Sequence, residues 1–125
     1  MNDIEEMAEL LAKFKELDPV EYHYWAAFRF ALNPELEMNS LPALDHLQGC
    51  IQRAIEEHGW TWSIVNNMIG GYQYYARITL DYLNNKENLE WGKSPTEALL
   101  KAYLAALEAE VLLQQSRGKE KESEK

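Results

Sequence analysis

The chain has 125 residues, 46% hydrophobic and 26% charged, which suits one globular domain with its own core and predicts no second. Acidic side chains outnumber basic ones 21 to 12. The resulting net charge of -9 excludes a nucleic-acid-binding body, which needs clustered Lys and Arg, and disfavours an anionic membrane surface.

Hydrophobic period divides the chain into elements. From Asp3 to Glu16, the residues Ile4, Met7, Leu10, Leu11, Phe14 and Leu17 recur at three- and four-residue steps, predicting an amphipathic helix with an acidic outer face. Asp18-Pro19-Val20-Glu21 reads as a fresh start: Asp18 caps, Pro19 suits the first helical position, and Glu21 reaches back to the cap. The helix that follows carries Tyr22, Trp25, Ala26, Phe28, Ala31 and Leu32 and ends before Asn33-Pro34; its wide apolar wrap predicts deep burial or an interface. Ser40-Leu41-Pro42 opens a third helix with Leu44, Leu47, Ile51, Ala54 and Ile55 as its core stripe and Gly59 as its left-handed stop.

The period then changes to two. Trp60, Trp62 and Ile64 alternate with Thr61, Ser63 and Val65 in a strand over Trp60–Met68, and Gly70-Gly71 makes the turn. From Tyr72 to Leu83, the residues Tyr72, Tyr74, Ala76, Ile78, Leu80 and Tyr82 share an apolar face and Gln73, Tyr75, Arg77, Thr79 and Asp81 a polar one. Asn84–Asn88 reads as a turn and Leu89-Glu90-Trp91 as a short edge strand. Ser94-Pro95-Thr96-Glu97 is a capping box launching a long helix, and Gly118–Lys125 alternates charges without an apolar residue. The prediction is a single α+β domain over 1–117, with a helical N-terminal part (1–39) and a sandwich-like core (40–117). Helices pack on a small antiparallel sheet in an α-β-α arrangement, and a disordered charged tail follows over 118–125.

No apolar run approaches the ~20 residues of a spanning helix, and Met1–Glu6 lacks the basic-then-apolar order of a secretory signal. The single cysteine, Cys50, excludes an internal disulfide, so the expected setting is the cytoplasm. His23, His46 and His58 do not repeat at i, i+4, and no Cys or His is read at ligand spacing to them, so no metal is expected. Cys50, beside a core stripe, reads as a buried thiol and not a nucleophile. The carboxylates lie on helices, where a solvated acidic face is the default, and Gly70-Gly71 and Gly92-Lys93-Ser94 both lack the rest of a phosphate-cradling loop.

Two features stand out. On the polar hairpin face, Tyr75 beside Arg77 offers a ring and a guanidinium to a purine base, the other reading being a solvated sheet face. At the entry to the last helix, free N–H groups over Ser94–Glu97 with Lys93 and Lys101 nearby suit a phosphate, unless Ser94 and Glu97 satisfy those groups themselves. The four tryptophans and the tyrosines exceed what so small a core buries, which suggests a subunit interface.

The arrangement from Ser40 onward resembles the phage ABA-sandwich domain family. The matching parts are the helix entry Ser40-Leu41-Pro42-Ala43-Leu44-Asp45, the strand segment Tyr75-Ala76-Arg77-Ile78 and the Gly-x-(Ser/Thr)-Pro entry Gly92-Lys93-Ser94-Pro95-Thr96-Glu97-Ala98-Leu99. The resemblance implies a phage-encoded protein acting in an infected bacterial cell. Members include Thoeris anti-defence sponges, oligomers that sequester cyclic ADP-ribose-type signals without cleaving them. By that resemblance this chain is not an enzyme and needs no cofactor. It forms a homo-oligomer and binds a cyclic nucleotide through Tyr75, Arg77, Trp91, Ser94, Thr96 and Lys101. The alternative is an acidic protein-binding inhibitor of a host defence or regulatory protein, whose acidic surface and aromatic helix near Trp25 mask a basic partner.

Overall fold

The computed structural model describes residues 3–32, 41–66, 74–81 and 86–123, with side chains for 5–28, 43–66, 74–80 and 86–112. Its elements are α1 (Asp3–Leu17), α2 (Pro19–Leu32), α3 (Leu41–Glu57), β1 (Thr61–Asn66), β2 (Tyr74–Asp81), β3 (Lys86–Gly92) and α4 (Pro95–Ser123). The fold is α+β, with helices first, then an antiparallel sheet of order β1-β2-β3, then the long last helix. The predicted turn at Gly70-Gly71, the stop at Asn33-Pro34 and the entry residue Ser40 lie outside the described residues. No described helix is long and apolar enough to cross a membrane.

The helix starts follow their caps. Asp18 Oδ1 accepts the Glu21 backbone N–H at 3.3 Å, while the Glu21 carboxylate turns away from the cap to take Arg53 Nη2 at 2.9 Å. Gly59, at φ +79°, supplies the left-handed residue that ends α3 and sends the chain into β1. Where a turn is predicted over Asn84–Asn88, Lys86–Asn88 instead belongs to β3, laddered against Ile78–Asp81. Pairing with a central strand outweighs the poor strand propensity of Lys, Glu and Asn, residues that an edge strand tolerates. α4 is helical through Ser123, so helical backbone covers most of the predicted disordered tail. Lys and Glu are good helix formers, and extending a nucleated helix is cheap.

The core is organised around α4. Ala98, Leu99, Leu100, Ala102, Tyr103, Leu104, Ala106 and Leu107 are all buried, so this stretch is covered on nearly every side. It packs on all three strands and also on α1 and α3, while α2 packs on α1 and α3. The layers therefore run sheet, then α4 with α3, then α1 and α2. Among the described residues, the helices that pack on the sheet are chiefly α4 and, on β1, α3. Alternation puts Arg77 and Glu87 on the opposite face, where a second helical layer would bury charge. A helix as apolar as α4 needs cover beyond the sheet, which α1 and α3 provide.

Candidate functional site

The uncovered face of the sheet is built by register. Val65 on β1, Tyr75 on β2 and Trp91 on β3 lie across from one another, and Ser63, Arg77 and Leu89 form the next row. The Tyr75 and Trp91 rings sit 5.0 Å apart at 55°. Val65, Leu89 and Trp91 are each 38–39% exposed, so this is an open aromatic and apolar strip. Arg77 Nε lies 3.5 Å from Glu87 Oε2, a half-exposed ion pair diagonal across β2 and β3.

The entry to α4 is arranged differently. Ser94 Oγ accepts the Glu97 N–H at 3.1 Å, and Glu97 Oε2 accepts the Lys93 N–H at 3.1 Å, so these groups satisfy one another as a capping motif. Thr96 is buried, and its hydroxyl lies 3.2 Å from both the Leu44 carbonyl and Gln48 Oε1 on α3. Lys101 donates to the Trp91 carbonyl at 3.3 Å and pairs with buried Glu97 Oε1 at 3.2 Å. It lines a groove of about 390 Å³ with Glu6, Glu9, Leu10 and Lys13 of α1.

Of the six residues expected in one pocket, Tyr75, Arg77 and Trp91 come together on the open face. Ser94 caps the helix, Thr96 fastens α4 to α3, and Lys101 sits in the α1–α4 groove. A phosphate-holding helix end contiguous with the aromatic pair is therefore not what these residues form. Trp25, on the aromatic helix α2, belongs to the core. It is fully buried and its Nε1–H donates to the Ala43 carbonyl at 2.9 Å, although Tyr24 and Phe28 on the same helix are exposed.

Two polar clusters were not anticipated. His46 and Cys50 do stand at i, i+4, contrary to the spacing read above, and Cys50 Sγ is 3.6 Å from His46 Nε2. Burial, followed by the nearby Glu21 carboxylate, pushes the Cys50 thiol up to about 11 against an opposing effect of Arg53; burial, then Arg53, lowers the His46 pKa. The pair is therefore a neutral thiol beside a neutral imidazole, the opposite of an activated nucleophile. At pH 8, native Cys50 is expected to react with Ellman's reagent at least ~100-fold more slowly than in guanidinium, because both its thiolate fraction and its access are small. Equal rates in the two states would contradict this environment. The second cluster joins three helical segments: the Tyr103 hydroxyl donates to Asp18 Oδ2 at 2.5 Å and lies 3.5 Å from His58 Nε2, and His58 Nδ1 lies 3.7 Å from Glu110 Oε2. Its members are scattered through the chain with no spacing signal. Among the described residues no group of three or more His, Cys, Asp or Glu side chains is arranged to hold a metal ion.

Comparison with protein-family models, with curated proteins and with solved structures found no match to this chain.

Proposed function

We propose that this chain acts by binding and not by turnover, and that it sequesters a nucleotide-type small molecule on the open face of its sheet. The observation that carries this reading is the Tyr75–Trp91 ring pair beside Arg77, all reachable from solvent. An aromatic surface contributes about 1–3 kcal/mol per stacked base, and an adjacent guanidinium suits a phosphate oxygen. The resemblance to phage ABA-sandwich proteins supplies the fuller version, in which the ligand is a cyclic ADP-ribose-type or cyclic oligonucleotide immune signal and the protein, a homo-oligomer in the infected cell's cytoplasm, starves a defence effector.

Calorimetry with cyclic ADP-ribose isomers and cyclic dinucleotides tests this. At least one ligand is expected to bind at micromolar concentration and to be recovered unaltered after heat release. Arg77→Ala is expected to abolish binding while the thermal melt stays largely in place. Recovery of an altered ligand would make the chain an enzyme. Absence of any nucleotide binding would favour a second reading, in which the same face docks a protein. That reading is supported by exposed Val65 and Leu89, which widen the strip beyond what one base covers.

A further inference from the structure

We infer that Glu87 is a built-in competitor for the anion site of the open sheet face, and that it makes binding depend on a stacked ring as well as on charge. This inference rests on the sheet-face reading above. By strand alternation and register Arg77 and Glu87 lie on that face, while Asp81, paired with Lys86, stands at its end beyond the register shift after Thr79. Arg77 Nε and Glu87 Oε2 lie 3.5 Å apart, with both side chains about half exposed. The charge of Arg77 is therefore already balanced by Glu87, on a chain whose net charge is -9. An anion reaching Arg77 must displace or approach the Glu87 carboxylate against that background, so charge alone gives it little. A ligand that also lays a ring on Tyr75 and Trp91 gains stacking energy that Glu87 does not oppose. The arrangement would reject free phosphate and accept a planar base carrying phosphate.

Adenosine, AMP, cyclic ADP-ribose and inorganic phosphate separate the two contributions when titrated into the wild-type protein, Glu87→Gln and Arg77→Gln. Removing the carboxylate is expected to raise the affinity for AMP and cyclic ADP-ribose about two- to fivefold, the range for an exposed ion pair, and to leave adenosine unchanged. Arg77→Gln is expected to abolish micromolar binding of cyclic ADP-ribose, as Arg77→Ala does, and to bring AMP down to the weaker level of adenosine. Inorganic phosphate is expected not to bind the wild type, and its binding there as tightly as AMP would overturn the proposal. Should the wild type prefer AMP to adenosine while Glu87→Gln binds AMP no more tightly, the role of Glu87 is overturned and the sheet-face reading stands. If the wild type binds none of these ligands, both fall. Melting curves of the two variants, expected to overlay the wild type, exclude unfolding as the cause of any change.

Discussion

Gly92→Ala is expected to cost about 3 kcal/mol, and Gly92→Val to prevent folding, although each change adds only one or three carbons. Gly92 ends β3 directly beneath the first turn of α4. A Cβ there would lie 2.5 Å from the Ala98 backbone nitrogen, 2.9 Å from its Cα and 3.1 Å from the Glu97 carbonyl carbon. These are backbone atoms and cannot rotate aside, so relief requires moving α4 off the sheet on which the core depends. Gly49 is the matched control: it lies inside α3 with nothing within 4 Å of its absent Cβ, and Gly49→Ala is expected to stabilise the protein by about 0.5–1 kcal/mol. Guanidinium unfolding of the three proteins measures both effects. A Gly92→Ala protein within about 1 kcal/mol of wild type would mean that α4 shifts without loss.

The second large effect is at Tyr103. Tyr103→Ala removes a fully buried ring that meets Phe14 edge-on at 6.4 Å and Trp60 at 6.5 Å, and is expected to cost about 3–5 kcal/mol. Tyr103→Phe keeps the ring and strands Asp18 Oδ2, with an expected cost of about 1–3 kcal/mol. The two variants separate packing from the hydrogen bond. Burial, then the hydrogen bond to Asp18, raises the Tyr103 pKa far above its ordinary value near 10. The folded state therefore keeps a proton that the unfolded state releases in base. The hydroxyl's contribution is fully present below about pH 10 and declines above it, at up to about 1.4 kcal/mol per pH unit. The deficit of Tyr103→Phe is accordingly expected to be constant from pH 7 to 9 and to narrow above pH 10. A deficit that widens in alkali would reverse the sign of this linkage.

Legibility followed how local each determinant was. The starts of α2 and α4 were readable because Asp18 and Ser94 cap through backbone N–H groups three residues away. The two faces of β2 were readable because alternation along one strand requires no partner. The first half of β3 was not, because Lys86, Glu87 and Asn88 have turn composition and become a strand only by pairing with β2. Which helices cover the sheet was likewise hidden, since alternation identifies a covered face without naming its cover. At the site, the neighbourhood of Tyr75 and Arg77 was evident, and Trp91 joins them through cross-strand register. The inward turn of Thr96 was not legible, because it depends on α3, which offers its hydroxyl a carbonyl and an amide oxygen. The His46–Cys50 pair stands one helical turn apart, a spacing legible in the sequence.

The central position of α4 also bears on the order in which the protein is made. The residues that unite the sheet with the N-terminal helices, Leu99 to Leu107, are translated after everything they hold together. At a synthesis rate of ~5–20 residues per second, the 29 residues of α4 take roughly two to six seconds to appear. During that interval Ile78, Ala76, Leu47 and Ile51 have emerged without the helix that later covers them. Those core contacts close only once α4 has been made.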